Sequence, residues 1–540
     1  MRNLRREPAL LLATGAVIAL VFTFIVYPQV QVVVAPGSGG YASFLEGGTW
    51  VTPFVHSLEV MALSTTSAVL LGFVYAYAMV YSDMRWKPFF RLIGILPLLS
   101  PPFVVAASYI LLFGPRGIIT YGVFGQTPLI FGLLGIWGVQ TIAFFPFAYQ
   151  LIADALSRSD ARMEQAARNL GAGTWRVFRT VTLPLSRPGL GAAILTTAIY
   201  IVEDFGNPQL IGGQFTVLPT QAYNLISGFG EFTSAAAVST LLLLIALALY
   251  LAKIRLDGGR SFVTISGRAS SMPRPPVPAV LSWACFSGSL VLAGLILMVY
   301  GTLLVSALTV LFPINLAPTA RHFAFVVTGS NGDALRNTLV FSSVAALVSA
   351  IFALFAGWLV QRGDWPGRRI LDFLLILPAA IPGIFFGIGY LTAFNQPWLD
   401  WVDRGALIIL SMVFWNIPVG YQAAVAGLRQ IDRSIDEAAT SLGASRLRGF
   451  WDVVRPLLGG SLRVGFVTTF VRAVTTLSVV IFLFTPATTV ATIRIYQLVN
   501  DLNWGGATAF TVADISMAIA ALVIFAVLAR GRLALGMARG

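Results

Sequence analysis

The sequence is poor in charged residues, cysteine and histidine for a chain of 540 residues. Charged residues make up 11% of it, whereas an average soluble domain contains about 25%. The single cysteine, Cys285, excludes an internal disulfide and a cysteine-based metal site. The two histidines, His56 and His322, are far apart in sequence, which argues against a histidine-rich metal site. A soluble enzyme is therefore nearly excluded.

Lysine is also scarce, and this bears on nucleotide binding. The two lysines, Lys87 and Lys253, do not follow a glycine. The phosphate-binding loop G-x-x-x-x-G-K-[ST] is therefore missing from the sequence. If ATP drives this protein, another chain has to bind it.

Hydrophobic residues are abundant instead: they make up 57% of the sequence and form long runs from end to end. Runs of this length predict an all-α polytopic membrane protein with about 12 transmembrane helices. We interpret the first run as a retained span and not a cleaved signal peptide, because it is long and no A-x-A-like site follows it cleanly. The predicted spans lie at about 9–27, 54–80, 92–113, 128–150, 188–205, 234–252, 279–306, 335–360, 370–393, 405–426, 461–483 and 510–529.

The positive charges are distributed unevenly among the loops between these spans. Of the 35 lysines and arginines, 29 lie in the two termini and in five alternate loops, and four lie in the other loops. Because cationic residues collect in cytoplasmic loops, this distribution predicts that both termini are cytoplasmic. The net charge of +13 is explained by membrane topology and does not indicate nucleic-acid binding.

A polar segment rich in Gly, Ser and Pro, 255–278, divides the predicted spans into two sets of six. We expect a first domain over 1–254, a cytoplasmic linker over 255–278 and a second domain over 279–540. Short sequence matches relate the two domains at two constant offsets. One offset pairs 145–150 with 417–422 and 170–172 with 442–444, and the other pairs 96–97 with 377–378. The pattern predicts two parallel repeats with a pathway at their interface.

The clearest repeated signal lies in two predicted cytoplasmic loops, 151–187 and 427–463. Each loop contains a Glu- and Ala-rich run, a glycine, and a proline thirteen residues after the glycine. The run favours a helix, the glycine can end it and the proline suits the start of the next span, so we predict a helix-turn-helix on the membrane surface. The pattern residues are Glu164, Gln165, Ala166, Ala167 and Gly171 in the first loop, and Glu437, Ala438, Ala439 and Gly443 in the second.

These two loops resemble the E-A-A-x-x-x-G-x(9)-I-x-L-P signature of bacterial ABC importer permeases. The second loop matches the E-A-A-x-x-x-G part, whereas the first has Gln165 at the glutamate position, and Arg455 stands where the family usually has leucine. The resemblance implies that each loop forms a coupling helix that docks on an ATPase subunit. It also implies a transport subunit with no enzymatic activity and no cofactor of its own, two partner ATPase subunits that bind ATP, an external substrate-binding protein, and a location in the bacterial inner membrane.

A fused pair of six-span domains is similar to the ferric-iron-type permeases of this class. The segments that support this resemblance are 203–208, 222–226, 476–478 and 495–498. It implies Fe³⁺ as the substrate. Related permeases carry 2-aminoethylphosphonate, thiamine, polyamines or sulfate, and these substrates remain open alternatives.

Two other classes of function are weaker alternatives. A proton-coupled secondary transporter can also have twelve spans in two parallel repeats, but it leaves the paired loops unexplained. An intramembrane enzyme would carry a motif such as H-E-x-x-H, a Ser-Lys pairing or paired membrane aspartates, and none is present in the sequence. ATP dependence of transport in vesicles would separate the importer from the proton-coupled transporter.

Polar side chains near the ends of predicted spans are candidates for the translocation path. Glu203 and Asp204 end the fifth predicted span. The matching region of the second half carries hydroxyl groups on Thr475, Thr476 and Ser478. Carboxylate oxygens at this place would suit a hard cation such as Fe³⁺. Alternatively, the two acids lie among lipid headgroups or pair with an arginine, for which Arg472 is the candidate, and we predict no metal site.

Overall fold

The computed structural model of the chain describes residues 7–127, 130–158, 161–257, 277–399 and 402–528. Most of the predicted linker 255–278 lies outside these residues, so the linker stays a prediction. Helices make up most of the described chain. The strands found in these residues form one short antiparallel pair, Thr309–Leu311 with Asn315–Pro318. The expected all-α polytopic fold is confirmed.

The helices differ widely in length, because long spans alternate with short surface segments. The α-helices are Pro8–Val21, Tyr27–Val34, Gly37–Gly47, Val51–Tyr81, Lys87–Ile95, Val104–Phe113, Leu133–Arg158, Ala161–Asn169, Thr174–Val177, Leu183–Val202, Gly206–Ile211, Leu218–Phe229, Phe232–Asp257, Ala279–Leu308, Arg321–Val327, Gly329–Arg362, Arg368–Ile376, Gly383–Phe394, Arg404–Leu428, Arg433–Ser441, Arg446–Gly449, Arg455–Leu457, Gly459–Val474, Ala491–Asn500 and Trp504–Leu528. Turns of π-helix cover Phe22–Val26, Ile118–Val123, Phe178–Thr182 and Phe450–Val454, and short 3-10 helices cover Leu96–Leu99, Leu377–Ala380, Pro397–Leu399 and Pro486–Thr488.

Ten helices of the described chain are long and apolar enough to cross a membrane. Two further helix pairs are apolar enough only when taken together, and each pair is sharply bent. The bend is 112° between Arg368–Ala380 and Gly383–Phe394, and 74° between Arg446–Leu457 and Gly459–Val474. Counting each bent pair as one span gives 12 spans, the number that the sequence predicts.

Prolines explain why two of the predicted spans are not straight helices. The predicted span 92–113 is divided between Lys87–Ile95, a 3-10 turn and Val104–Phe113. The predicted span 370–393 is divided in the same way after Ile376. Proline has no N–H to donate and its ring clashes with the preceding turn, so a run such as Pro101-Pro102 cannot continue an α-helix.

The element order confirms the internal repeat. Lys87–Ile95 corresponds to Arg368–Ile376, and each of these helices is followed at once by a 3-10 turn. The loop helix Ala161–Asn169 corresponds in the same way to Arg433–Ser441. Each half therefore builds the same series of helices from a different sequence.

The helices cluster into two compact units, which we call unit one and unit two. Unit one comprises the described parts of Met1–Glu46, Leu225–Leu243 and Arg321–Gly531. The first apolar helix of the chain therefore packs with helices of the second half: the Tyr390 hydroxyl donates to the Phe24 carbonyl at 2.9 Å. The Gly389 backbone lies so close to Pro28 that an added Cβ would be 2.9 Å from its carbonyl oxygen.

Unit two comprises the described parts of Gly47–Asn224 and Leu244–Ala320. Here the first helix of the second half, Ala279–Leu308, packs with helices of the first half, and the Ser100 and Tyr300 hydroxyls lie 2.6 Å apart. The boundaries of the two compact units thus differ from those of the predicted domains 1–254 and 279–540. The domain boundaries follow the sequence repeat and stay a prediction.

Small residues let the main helices of each unit approach closely. In unit two, a Cβ added to Gly72 would lie 2.8 Å from the Tyr149 amide nitrogen. In unit one, a Cβ added to Gly420 would lie 3.1 Å from the Cβ of Ala353. Close backbone approach at glycine and alanine is typical of membrane helix packing, where apolar burial between helices adds little.

Candidate functional site

The first loop folds as the predicted helix-turn-helix. Its helix, Ala161–Asn169, ends at Gly171, whose φ is +83°. The Gly171 amide donates to the Arg168 carbonyl at 2.8 Å, and the Ala172 amide donates to the Ala167 carbonyl at 3.0 Å. This left-handed cap strongly favours a residue without a side chain, which is the physical reason for the glycine in the pattern.

The second loop repeats this geometry. Its helix, Arg433–Ser441, ends at Gly443 with φ +86°, and the Ala444 amide donates to the Ala439 carbonyl at 3.1 Å. At the start of the helix, the Asp432 carboxylate accepts from the Ser434 amide at 2.9 Å. This hydrogen bond and the Ser434 hydroxyl lower the pKa of Asp432.

Each loop presents an apolar tip. Leu170 and Leu442 precede the two glycines, and both are 89% exposed. Trp175 and Trp451 are exposed in the helical segments that follow. Because a large apolar residue at this exposure is unfavourable in water, the tips are suited to contact with a partner protein.

Apart from Glu164, the predicted pattern residues of the loop helices lie on their outer face. Gln165 and Ala166 are exposed in the first loop, and Ala167 is half-buried. The matching positions Glu437, Ala438 and Ala439 have the same exposure in the second loop. The glutamate position of the signature is therefore open to a partner in both loops.

The acidic residue just before this position points inward, and sequence reasoning assigned it no separate role. Glu164 is 2% exposed, and its Oε1 accepts from the Tyr81 hydroxyl at 2.6 Å and from the Thr182 hydroxyl at 3.1 Å. Tyr81 is the last residue of the long helix Val51–Tyr81. The first loop helix is thereby attached to the end of a span.

Asp436, at the matching position of the second loop, pairs with Arg362, the last residue of Gly329–Arg362. The Arg362 Nε lies 3.2 Å from the Asp436 Oδ2, close enough for an ion pair, although their angle is not that of a hydrogen bond. Burial raises the pKa of Asp436, and the positive charge of Arg362 opposes that rise.

The second loop has a further contact with the start of the chain. The Glu7 carboxylate accepts from the Arg446 amide at 3.1 Å, where the segment Arg446–Gly449 begins. Glu7 immediately precedes the first apolar helix. A cavity of about 310 Å³ lies beside this contact and is bordered by Arg362 and Asp436 as well as by Leu10 and Thr14.

In unit two, the candidate path residue Asp204 lies in a buried polar network. Its Oδ2 accepts from the Gln140 side-chain amide at 2.9 Å and from the Asn207 side-chain amide at 2.9 Å. Asp204 is 8% exposed, and Glu203 beside it is half-buried. Asp204 is therefore buried within unit two, where its Oδ2 accepts from two side-chain amides.

In unit one, the candidate path hydroxyls bond to backbone. Thr475 donates to the Val471 carbonyl at 3.1 Å, and Thr476 donates to the Arg472 carbonyl at 2.6 Å. Ser478 lies against Gly383, where an added Cβ would collide with its hydroxyl. Such local bonds satisfy the hydroxyls without a ligand.

The Arg472 side chain has partners within unit one. Its Nε donates to the Asn416 side-chain oxygen at 3.0 Å, and its guanidinium lies 5.1 Å from the centre of the Trp415 ring. Across the described residues, no group of three or more His, Cys, Asp or Glu side chains is arranged to hold a metal ion.

Comparison with known proteins identifies the family. The sequence profile described as "Binding-protein-dependent transport system inner membrane component" matches this chain twice, at residues 68–255 and 349–533. The chain belongs to this family. The two matched regions contain the two loops, so the expectation of a fused double permease is confirmed.

Several transport permeases are similar to this one. The chain is 32% identical to the "Ferric transport system permease protein FbpB" of Actinobacillus pleuropneumoniae, over 94% of this chain and 77% of the relative. It is 33% identical to the "Putative ferric transport system permease protein FbpB 1" of Haemophilus influenzae, over 89% and 78%. A shorter match, 33% identical, relates 35% of this permease to 86% of the "Molybdenum transport system permease protein ModB" of Escherichia coli. This permease is thus a fused, ferric-type ABC permease by sequence.

Proposed function

We propose that this permease forms the translocation path of an ATP-driven importer of ferric iron in the bacterial inner membrane, with both termini in the cytoplasm. Two ATPase subunits dock on the loops 151–187 and 427–463, and an external binding protein delivers the substrate. The observation that carries this proposal is the pair of matched loops, each with an exposed leucine beside a glycine-capped helix.

ATP is bound and hydrolysed on the partner subunits, and this chain transmits the resulting movement. When the ATPases close, they displace the two loop helices. The helices are attached to the ends of Val51–Tyr81 and Gly329–Arg362 through Glu164 and Asp436, so displacement of a loop is passed to a span. Coupling of this kind needs two states with different contacts at both ends.

The substrate assignment rests on the ferric relatives and on the chemistry of the Asp204 region. A buried carboxylate among amides leaves oxygen atoms that suit a hard cation. Glu203 and Asp204 in one half, and Thr475, Thr476 and Ser478 in the other, are the residues that we assign to the path. No cofactor is required of this chain.

A second substrate class, a small oxyanion, is favoured by a different observation. The relatives over about a third of the chain include permeases named for molybdenum and sulfate transport. A carboxylate in the path would repel an anion, so the Asp204 network favours the cation. An Asp204→Asn variant separates the two: it would reduce import of a cation and leave import of an oxyanion unchanged or increased.

The decisive experiment is reconstitution of the permease with its ATPase in vesicles. We expect a ferric-loaded binding protein to stimulate ATP hydrolysis, and we expect Gly443→Pro to abolish the response, because proline cannot adopt the left-handed glycine conformation. Stimulation only by a protein loaded with an oxyanion, phosphonate, thiamine or polyamine would keep the importer and reject iron. Failure of any ATPase to associate would reject the coupling role of the loops, and transport that collapses with the proton gradient would favour a secondary transporter.

A further inference from the structure

The two loops are attached to the membrane helices at equivalent positions but by different chemistry. Glu164 and Asp436 are each the fourth residue of their loop helix. Their partners Tyr81 and Arg362 are each the last residue of the long helix that precedes Lys87–Ile95 or Arg368–Ile376. The repeat has therefore kept the contact and changed both of its members.

We propose that Tyr81 with Glu164, and Arg362 with Asp436, are equivalent latches that position the two loop helices against the ends of their spans. A latch here means the contact between the last residue of the span and the inward acid of the loop helix. This proposal rests on the proposed coupling function, because positioning matters only if the loops transmit force. The four residues are positioning residues: they face into the permease, not outward to a partner.

The first latch is buried, and its two hydrogen-bond donors are neutral hydroxyl groups. Glu164, Tyr81 and Thr182 are all buried, and both hydroxyls donate to the same carboxylate oxygen. Water and salt ions have little access to such a contact, so its strength should depend little on ionic strength. Hydrogen bonds to an ionised acceptor are stronger than those between neutral groups.

The second latch is an ion pair at the edge of a cavity. The Arg362 side chain is 11% exposed and the Asp436 side chain 28%. Arg362 also donates to the Leu428 and Ile431 carbonyls, at 3.2 and 2.5 Å, where the helix Arg404–Leu428 ends. One guanidinium therefore joins the ends of two spans and the loop helix, which a tyrosine hydroxyl cannot do.

The sequence change at a third position agrees with this distinction. Thr182, which assists the first latch, is the last residue of the π-helical turn Phe178–Thr182, and the buried Val454 holds that place in Phe450–Val454. Where the acid is held by neutral hydroxyls, the next helix supplies a second hydroxyl. Where the acid is held by a charged arginine, that position is apolar. The two sets of residues are thus matched within each latch.

A latch is needed because a loop helix of 9 residues has little stability by itself. Isolated helices shorter than about 12–15 residues are marginal in water. Most residues of the two loop helices are exposed, Gln165 and Glu437 among them. Without an inward anchor, docking of an ATPase would move the loop without moving the span.

The test uses hydrogen exchange on the permease alone, followed by ATP hydrolysis in the complete importer. The variants are Tyr81→Phe for the first latch, and Arg362→Gln and Asp436→Ala for the second. The matched controls are Arg369→Gln and Asp364→Ala, which change the same residue types at exposed positions close to the second latch. We expect about fivefold faster exchange over 433–441 in the second-latch variants, over 161–169 in the first-latch variant, and in neither segment in the controls.

In the complete importer, we expect stimulation by the loaded binding protein to fall about fivefold in the second-latch variants while ATPase association persists. Salt should reproduce the second-latch effect and leave the first latch intact. If Arg362→Gln fails to fold, Asp436→Ala decides, since it keeps the Arg362 bonds to the carbonyls. The triple variant Arg362→Tyr with Asp436→Glu and Val454→Thr transplants the three residues of the first latch, and we expect it to restore coupling and remove the salt sensitivity.

The outcomes separate this proposal from the proposed function. Unchanged exchange over both loop helices would overturn the latches, whatever the ATPase does. Faster exchange with undiminished stimulation would overturn their role in coupling and leave the importer intact. If the unaltered permease binds no ATPase, the proposed function fails, and the role of the latches in coupling fails with it, while the exchange data still decide whether the contacts hold the loops.

Discussion

The two cytoplasmic loops share their backbone and differ in how they are anchored. Both end in a left-handed glycine, and both place an equally exposed leucine before it. Beneath this common tip, the first loop is held by hydroxyls and the second by an arginine. The difference teaches that the two halves share the exposed tip of the loop more closely than they share the buried contacts that attach the loop to a span.

The second loop also has contacts that arise from its place in the chain. Glu7, from the start of the sequence, binds the Arg446 amide, and a cavity borders the ion pair. The two loops should therefore respond alike to changes at the tip and unlike to changes in salt, pH or the N-terminal segment. The following predictions test that expectation from the largest effect to the smallest.

The largest effect is expected at the tips, where the loops are alike. Leu170→Asp and Leu442→Asp should each weaken ATPase binding more than about tenfold, because a leucine buried on docking contributes about 1.5–3 kcal/mol. Titration of the ATPase onto permease in lipid nanodiscs measures both affinities. Leu502→Asp, at another exposed leucine, is the control. Unequal losses from the two tip variants would break the similarity of the loops.

The next effect should distinguish the loops. Glu164→Ala leaves the buried hydroxyls of Tyr81 and Thr182 without their acceptor, so we expect it to lower the free energy of unfolding by about 1–3 kcal/mol. Asp436→Ala should cost about 1 kcal/mol or less, because Arg362 keeps its two carbonyl partners and borders a cavity. Thermal unfolding in detergent measures the difference. A larger loss for Asp436→Ala would reverse this ranking.

The glycine caps should again behave alike. Gly171→Ala and Gly443→Ala should each destabilise the permease by about 1 kcal/mol, because a side chain is strained at these φ angles. Nothing lies within 4 Å of an added Cβ at either glycine, so packing adds no further cost. Asparagine, which tolerates the left-handed conformation better, should be milder than alanine at both sites. Thermal midpoints that differ between the two glycines would contradict this.

The N-terminal contact should affect the second loop alone. Glu7→Ala removes one acceptor from the Arg446 amide, and we expect hydrogen exchange over 446–449 to rise about two- to fivefold. Exchange over the corresponding segment 174–177 should not change. Gln at position 7 keeps an acceptor oxygen and is the matched control. An equal response in both segments would mean that Glu7 acts through the whole permease.

The smallest effect concerns pH at two aspartates of the second loop. The raised pKa of Asp436 makes its contribution to stability greatest in acid, and that contribution is lost as pH rises through the raised value. The lowered pKa of Asp432 has the opposite sign: its contribution is present above the ordinary aspartate pKa of about 3.9 and is lost as pH falls through the lowered value.

Unfolding measured from about pH 2 to 7 should therefore separate the two asparagine variants, because the Asp432 effect lies below about pH 4 and the Asp436 effect above it. Relative to the unaltered permease, Asp436→Asn should become more favourable as pH rises, and Asp432→Asn should become less favourable. Trends of the same sign in both variants would contradict the two pKa directions. Asp364→Asn is the exposed control.

The sequence predicted well whatever depends on composition and local conformation. The apolar runs indicated the spans, and the matched glycines indicated the ends of the loop helices, because a left-handed cap has a strong residue preference. The outer residues Gln165 and Glu437 were predicted from the signature. Their role in coupling remains a prediction.

The sequence did not indicate the contacts that join distant elements. Tyr81 and Arg362 occupy equivalent positions, but tyrosine and arginine share no pattern that would relate them. Their partners Glu164 and Asp436 are visible as matched acids when the two loops are aligned on their glycines, and that match was the available signal. Hydropathy also did not indicate where the spans bend, because it measures apolar length, whereas prolines such as Pro102 and Pro382 limit how far a helix can continue.

Unit one combines a helix from the start of the chain with helices from its second half, and this has a consequence for synthesis of the chain. The helix that begins at Pro8 leaves the ribosome early, yet Tyr390 is synthesised long after the Phe24 carbonyl that it binds, from the far half of the chain. The helix must therefore wait in the lipid for most of translation, with its packing face uncovered. Two fragments separated at the linker should each lack part of a compact unit, and assembly would require both fragments to meet in the same membrane.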